Sequence, residues 1–332
     1  MNATPACRAT QIGSWPGTDL ATALGVSLEL TPDLPVLPEL PGRGAPATMI
    51  GRTAGLLVDI PVDLQPSGWR IAAGAARDQR VARAVFREDL DALEEAAQGY
   101  VGPLKLALAG PWTLAASLEQ TRGDKVLADH GARRELAESL AQGIGDIASE
   151  LERRLPDIEQ VWQLDEPLVS QVAHGAIGTA SGFSRLRGVR DDELVELLDL
   201  VLAGPGSRRR WIHSCAADLP WDALLRTSAD GLAVDAGLVS LSGWDALGAA
   251  VEQGRDLVLG LAATSGPVPT GDELADRTVR RWESLGLDEA ALGRLWLTPT
   301  CGLAGRAEAD ARATLRALGT AVGIVTERVL GG

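Results

Sequence analysis

The sequence has few of the residues that would place it outside the cell or in a membrane. It contains only 3 cysteines among 332 residues, an odd number that argues against a disulfide framework and for a reducing compartment. No apolar run approaches the roughly 18 residues that a bilayer span requires, and the N-terminus lacks the apolar core of a secretory signal. We therefore expect a cytoplasmic protein with no membrane partner.

Basic residues are also in the minority. The chain has 31 Lys and Arg against 45 Asp and Glu, a formal net charge of −14. An acidic surface repels a phosphate backbone, so we do not expect a nucleic-acid partner. The one arginine run, at residues 208–210, precedes an apolar segment, and we interpret it as the solvated start of a strand.

Apolar segments of strand length recur along the chain, and helical patterns lie between most of them. Continuous apolar runs are typical of strands that are buried on both faces of a parallel sheet. The predicted strands span residues 7–14, 47–52, 104–110, 160–165, 210–214, 231–235, 257–262 and 295–298. The predicted helices span residues 77–98, 132–155, 191–202, 221–226, 242–253, 271–285 and 307–322. This alternation predicts an α/β fold, a single (β/α)₈ TIM barrel over residues 1–332.

One proline-rich stretch breaks the alternation. Residues 31–46 contain five prolines, which excludes a regular helix or an inner strand. We predict that this segment is a long loop over the barrel mouth after the first strand. A domain linker is the alternative, but the preceding 30 residues are too few for a domain.

Groups that can bind a metal lie at the ends of three predicted strands. His213 and Cys215 are two residues apart in an extended segment, so their side chains face the same way. Asp235 ends the next strand, and Cys301 follows the last one. The strand ends meet at the barrel face that carries active sites, and a donor set of one nitrogen, two sulfurs and one oxygen suits tetrahedral Zn²⁺. The alternative is that the cysteines are ordinary core residues.

Five motifs, in the same order, resemble the C-terminal catalytic barrel of the cobalamin-independent methionine synthases, a barrel type shared with uroporphyrinogen decarboxylase. Ile12-Gly-Ser-Trp-Pro16 is similar to the family's Ile-Gly-Ser-Phe-Pro, and Ala109-Gly-Pro-Trp-Thr113 to its Thr-Gly-Pro-Val-Thr. Gln163-Leu-Asp-Glu-Pro167 resembles Gln-Ile-Asp-Glu-Pro, and His213-Ser-Cys215 fits the family's His-x-Cys. Thr298-Pro-Thr-Cys-Gly-Leu303 resembles Asn-Pro-Asp-Cys-Gly-Leu. Each motif is weak alone, but five in order are specific.

The resemblance implies a zinc-dependent enzyme that transfers a methyl group to the thiol of homocysteine and forms methionine. His213, Cys215 and Cys301 would bind Zn²⁺, and Asp235 would replace the family's Glu as the fourth ligand, one methylene shorter. Such a site is useful because a free thiol is mostly protonated at neutral pH, whereas a thiol bound to zinc is deprotonated.

The same resemblance implies which residues bind the amino-acid part of the substrate. Ser14, with the backbone around Ile12, would hold the carboxylate, and Asp165, the expected catalytic residue, would bind the α-ammonium group. The family's His-Gly-Glu segment, whose Glu also contacts the substrate, is not visible. Asp59 or Asp63, within residues 55–63, is the expected substitute.

The methyl donor and several alternatives stay open. We expect the donor to be a methyl-tetrahydrofolate or a methylated corrinoid protein. The choice stays open because the family's Asp-x-His-Ser segment, which is linked to protonating the folate, is replaced by Gly-Leu-Ala-Ala-Thr-Ser at residues 260–265. The alternatives are a zinc methyltransferase for another thiol and a degenerate, non-catalytic zinc-binding barrel. A tetrapyrrole decarboxylase fits less well, because the proline-rich stretch has no arginine cluster. The acid pair at residues 165–166 can also be structural, held by helix N-termini or a salt bridge.

Overall fold

The computed structural model of the protein describes residues 6–74 and 76–331. Its strands are β1 (Arg8–Ala9), β2 (Val62–Gln65), β3 (Gly68–Ile71), β4 (Gly102–Ala109), β5 (Ile158–Asp165), β6 (Arg209–Ser214), β7 (Gly231–Asp235), β8 (Asp256–Ala262) and β9 (Leu295–Pro299). Its α-helices are α1 (Leu20–Leu30), α2 (Met49–Ala54), α3 (Arg77–Ala96), α4 (Pro111–Ser117), α5 (His130–Arg154), α6 (Val169–Ala173), α7 (Asp191–Leu202), α8 (Trp221–Arg226), α9 (Leu241–Glu252), α10 (Gly271–Leu285) and α11 (Glu308–Leu330). Across the described ranges, no helix combines the length and the apolarity needed to cross a membrane.

Seven of these strands form one curled parallel sheet with helices around it. The strand order is β1-β9-β8-β7-β6-β5-β4, and each neighbouring pair is parallel. Strands β2 and β3 form a separate antiparallel hairpin. The curled sheet and its surrounding helices confirm the predicted α/β fold of the TIM-barrel type.

The inner face of the curl alternates between an apolar and a polar layer. Six buried residues form the apolar layer: Leu34, Val161, Trp211, Ala233, Val258 and Trp296. The two tryptophan rings meet edge to face, with centroids 5.4 Å apart. Because side chains of a strand point to the same face every second residue, Gln163 on β5 and His213 on β6 follow this layer towards the carboxyl ends. The two-residue alternation of side chains along a strand therefore places the polar groups of the motifs next to the apolar layer, on its carboxyl-end side.

The proline-rich segment contains no α-helix or regular strand, as predicted, but it lies between β1 and β4 rather than over the barrel mouth. On one edge, the Leu37 N–H donates to the Lys105 carbonyl at 2.9 Å. On the other edge, the Trp15 N–H donates to the Glu39 carbonyl at 2.8 Å and the Glu39 N–H donates to the Gly13 carbonyl at 3.1 Å. These bonds come from residues between the prolines, so the missing proline N–H groups cost nothing here. All residues from 34 to 40 are buried.

The second predicted strand, residues 47–52, was also wrong. That stretch ends a short 3₁₀ turn and begins α2, which is capped by the Thr48 hydroxyl accepting from the Gly51 N–H at 3.4 Å. A stretch of six residues is too short for its apolar pattern to separate a strand from a helix turn. The helix α1 and the β2–β3 hairpin were not predicted. Helices α7, α8 and α10 begin and end where the sequence pattern predicted.

Candidate active site

Three of the four predicted metal ligands converge at the carboxyl ends of the strands. His213 is on β6, Cys215 follows it directly, and Cys301 follows β9. One donor atom from each of these residues lies within 4.8 Å of the other two. The two cysteine sulfurs are 3.0 Å apart, well beyond the roughly 2.05 Å of a disulfide bond. The three side chains therefore form a compact group of free nitrogen and sulfur donors.

The orientation of His213 leaves one ring nitrogen free. Its Nδ1 is 2.8 Å from Asp165 Oδ1 and donates to that carboxylate, which has no proton of its own to give. Its Nε2 is buried and has no hydrogen-bond partner among the residues that the structure describes. A buried polar atom without a partner costs free energy unless a ligand binds it. A carboxylate on one histidine nitrogen with the other nitrogen free is the usual arrangement around a metal-binding histidine.

A hydrogen bond joins the two cysteine sulfurs. A hydrogen bond between the sulfurs lowers the pKa of Cys301 to about 6, and the same bond raises the pKa of Cys215. His213 also favours the Cys301 thiolate. The thiolate is the form of cysteine that binds metals. The donor set, the thiolate and the free Nε2 therefore fit a zinc ion.

Asp235, the fourth predicted ligand, lies at the margin of this group. It ends β7, but its Oδ1 accepts a hydrogen bond from the Gly237 N–H at 2.9 Å and is not among the three clustered donors. Burial raises the pKa of Asp235, while His213 opposes that rise, so the two side chains lie near each other. Asp235 also lines a cavity of about 610 Å³, together with Gly260 and Thr300.

The residues predicted to bind the amino-acid carboxylate lie next to the cysteine loop. A Cβ built on Gly302 would meet the Ser14 hydroxyl at 1.9 Å, so only glycine fits beside Ser14 at this position. The Leu303 N–H donates to the Ser14 carbonyl at 2.8 Å. The Ile12 carbonyl accepts from Gln163 Nε2 at 3.0 Å. Packing thus places the first and last motifs in direct contact.

A carboxylate that sequence reasoning did not select, Glu39, also lies in this region. It is buried at 8% exposure on the segment that closes the barrel. Burial raises the pKa of Glu39 to about 7; the nearby charge of Arg52 opposes the rise, and Asp165 and Cys301 add to it. The sequence offers one signal for this residue, an acid held between Pro38 and Pro41, but the loop assignment of that stretch hid it.

Asp59 is not brought to the site. It is exposed, and its φ of 58° places it in the left-handed region, in the turn after residue 58. The adjacent Val58 bonds to Ser139 on α5, away from the cysteines. Asp63 accepts a hydrogen bond from the Asp78 N–H at the start of α3. Both acids are part of the outer layer rather than of the strand-end region.

Glu166 has the structural role that was one of the two interpretations of the acid pair. Its carboxylate accepts from the N–H groups of Trp112 and Thr113 at 2.9 and 2.7 Å, at the start of α4. The Thr113 hydroxyl donates to it as well, at 2.7 Å. A Cβ on Gly110 would lie 2.3 Å from Glu166 Oε1, which explains the glycine of that motif. The second and third motifs therefore hold each other in place.

Three comparisons with known proteins concern the family and the fold of this chain. A sequence profile described as "Cobalamin-independent synthase, Catalytic domain" matches residues 7–323. A comparison with curated protein sequences found no match.

Among solved structures, a B12-independent methionine synthase from Shewanella sp. W3-18-1 in complex with selenomethionine is similar, with a TM-score of 0.65, 17% identity, and 99% of each chain covered. The intracellular xylanase TsXylA from Thermoanaerobacterium saccharolyticum JW/SL-YS485 matches with a TM-score of 0.44 and 11% identity, over 91% of this chain and 90% of the xylanase. At 17% identity the likeness to the Shewanella structure shows the fold, whereas the sequence profile shows the family. The chain belongs to the family of catalytic domains of cobalamin-independent methionine synthases, and it is a methyltransferase.

Proposed function

We propose that the protein is a zinc-dependent enzyme that transfers a methyl group to the thiol of homocysteine and forms methionine. The observation that carries this proposal is the buried, unpartnered Nε2 of His213 beside two cysteine sulfurs. His213, Cys215 and Cys301 would hold Zn²⁺, which when bound would deprotonate an incoming thiol. Asp235 would be the fourth ligand after exchanging its bond to the Gly237 N–H for the metal.

The amino-acid part of homocysteine would bind between the first motif and two buried carboxylates. Glu39 lies beside the first motif, because its backbone bonds to Gly13 and Trp15, and Asp165 bonds to Gln163 and to the candidate ligand His213. An α-ammonium group forms strong, charge-assisted hydrogen bonds with carboxylates. Ser14 and the backbone at Ile12 lie next to the loop of Cys301 and would take the substrate carboxylate. Glu39 replaces Asp59 as the proposed second carboxylate.

The first experiment measures zinc per chain and the binding of L-homocysteine to the zinc-loaded protein by calorimetry. We expect about one zinc per chain and a binding signal that disappears when a chelator removes the metal. A protein that takes up no zinc would contradict the proposal at its first step. Zinc uptake without homocysteine binding would favour a different thiol or a non-catalytic site.

A second experiment separates homocysteine from other thiols. The variant Glu39→Gln keeps the shape of the side chain but removes its charge, so we expect homocysteine to bind roughly 10- to 100-fold more weakly. The probe 4-mercaptobutanoate, which is homocysteine without its amino group, should bind equally well to both proteins. Glu29→Gln on α1 makes the same change at an exposed position and should have no effect. Equal losses for both probes would show that Glu39 does not bind the amino group.

The donor is proposed as a methyl-tetrahydrofolate or a methylated corrinoid protein. The cavity of about 610 Å³ beside Asp235 is within the usual size range of small-molecule sites. Turnover with methyl-tetrahydrofolate alone would identify folate as the donor, whereas turnover only with methylcobalamin would identify the corrinoid. The cytoplasmic location and the single barrel over residues 1–332 stay predictions.

A non-catalytic zinc-binding barrel is the second candidate, favoured by one observation. Asp235 is shorter than the Glu of the family and is bonded to Gly237 rather than clustered with the other ligands. In a non-catalytic barrel the metal would take up no incoming thiol, whether or not Asp235 completes its ligands. Zinc-edge X-ray absorption with and without homocysteine distinguishes the two, because only the catalytic site gains a sulfur neighbour.

A further inference from the structure

A lysine is buried in the centre of the barrel, beneath the site. Lys105 on β4 is completely buried, and its Nζ donates to the Gln11 carbonyl and, at 2.7 Å, to Gln163 Oε1. The ring of Trp211 lies 5.4 Å from Nζ. Within the described ranges, no carboxylate lies within salt-bridge distance of this ammonium group. Burial lowers the pKa of Lys105 to about 7, with the charge of Asp165 opposing this, so keeping the ammonium form here costs free energy that its hydrogen bonds offset.

Lys105 begins a chain of hydrogen bonds that has only one possible direction. An ammonium group donates and cannot accept, so the Gln163 atom that it contacts is the amide oxygen. The Gln163 nitrogen therefore faces the other way and donates to the Ile12 carbonyl at 3.0 Å and to Asp165 Oδ1 at 2.7 Å. The same Asp165 oxygen then accepts from His213 Nδ1 at 2.8 Å.

This series of hydrogen bonds runs from the barrel centre to the candidate metal ligand, and every group in it is buried. Lys105 and Gln163 are 0% exposed, His213 is 3% exposed and Asp165 is 7% exposed. Water therefore has little access to these groups and does not replace a hydrogen bond that a substitution removes. The acceptor in each of these bonds is a carbonyl or carboxylate oxygen, which fixes the direction of every bond as far as the imidazole.

We propose that Lys105 is a positioning residue that keeps His213 in the tautomer with its proton on Nδ1 and its Nε2 free for a metal. The proposal rests on the proposed function in that His213 is taken as a zinc ligand. Without the Lys105 donor, the Gln163 oxygen loses its one hydrogen-bond partner among the described residues, and the amide is held only by its bonds to Ile12 and Asp165. Asp165 would then be held less firmly, and His213 would be less constrained to keep its proton on Nδ1 and its Nε2 free for a metal.

A purely structural role makes a different prediction. If Lys105 only filled space beside Trp211, an unbranched apolar side chain of similar length would serve equally well. The variant Lys105→Met tests this, because it keeps the length and removes the donor. The variant Gln163→Glu tests the same chain from its second member, since a carboxylate still accepts from Lys105 but has no N–H for Asp165.

The experiment has two readouts, zinc affinity by chelator competition and the His213 tautomer by ¹⁵N NMR of the metal-free protein. The chain has only 3 histidines, so histidine-specific labelling resolves His213. For both variants we expect zinc affinity to fall roughly 10- to 100-fold, as for other groups that orient a metal ligand. We also expect a mixture of tautomers instead of one. Thr278→Val is the control, since the buried Thr278 hydroxyl donates to the Leu274 carbonyl at 2.8 Å on α10, away from these hydrogen bonds. It should leave both readouts unchanged.

Unchanged zinc affinity and a single tautomer in a folded Lys105→Met or Gln163→Glu protein would overturn the proposal. If Lys105→Met does not fold, Gln163→Glu decides alone, because it preserves size and the bond to the lysine. If the unaltered protein binds no zinc, the proposed function fails, but the tautomer measurement still decides the role of Lys105.

Discussion

Replacing Cys301 by serine removes one of the clustered donors with little change in size. The side chain is half-buried and its sulfur is 3.0 Å from that of Cys215, so the smaller hydroxyl fits without a clash. A serine hydroxyl does not ionise at neutral pH, whereas the Cys301 thiol has a pKa of about 6, lowered by its bond with Cys215. The variant therefore loses the anionic sulfur ligand, and serine supplies no anion in its place.

The size of the loss follows from the ligand count. Four-ligand zinc sites in small peptides bind with about 10–16 kcal/mol, so one ligand of four accounts for about 2.5–4 kcal/mol. At 1.4 kcal/mol per factor of ten, zinc affinity should fall roughly 10²- to 10³-fold, and methyl transfer should fall with it. Because metal binding needs the thiolate, the affinity of the unaltered protein should also fall steeply as the pH drops below about 6.

Chelator competition at pH 7.5 measures this affinity, with zinc per chain as a second reading. Cys7→Ser is the matched control, since Cys7 is a buried thiol near the carbonyl of Arg8 and outside the cluster. We expect Cys7→Ser to bind zinc as the unaltered protein does. Wild-type affinity in Cys301→Ser would refute the ligand assignment, and an equal loss in both variants would show that the effect is not specific to the cluster.

Two further predictions concern stability. Gly110→Ala should destabilise the fold by about 1–3 kcal/mol, because its Cβ would lie 2.3 Å from Glu166 Oε1. The control Gly25→Ala lies at an exposed position of α1, where the new Cβ meets nothing within 4 Å, and should stabilise the fold by about 0.5–1 kcal/mol. Urea unfolding measures both changes. For pH, burial raises the pKa of Glu39 from 4.5 to about 7, so the folded state binds more protons than the unfolded state between these values. The free energy of unfolding should therefore decrease as the pH rises from about 4.5 to 7, and Glu39→Gln should flatten that decrease; an unchanged slope in the variant would contradict the assignment.

The family resemblance has a physical counterpart in how the motifs contact each other. The third motif supplies Glu166 to the backbone of the second, and Gln163 to the backbone of the first. The last motif packs its Gly302 against Ser14 of the first. Residues that are weak signals one by one are thus parts of one contact network, which is why their order along the chain was informative.

Much of the outer layer could be predicted from the sequence because it depends on local chemistry. The pattern of α10 predicts its start at Thr270, and the structure shows the full capping box with Glu273. The buried runs of β5 to β9 were recognised to within two residues of their ends, since a continuous apolar run needs no partner to be visible. The first predicted strand shrank to Arg8–Ala9, because the chain leaves the regular ladder after two paired residues.

Sequence alone determined which residue types stand at the strand ends, and thus the kind of ion and chemistry that the site suits. Only the tertiary structure decided which of them meet. Cys215 and Cys301 are 86 residues apart, and Glu39 reaches the site only because its segment closes the barrel. The physical reason is that side-chain alternation is a property of neighbouring residues, whereas the approach of distant strand ends depends on the register and curl of the whole sheet.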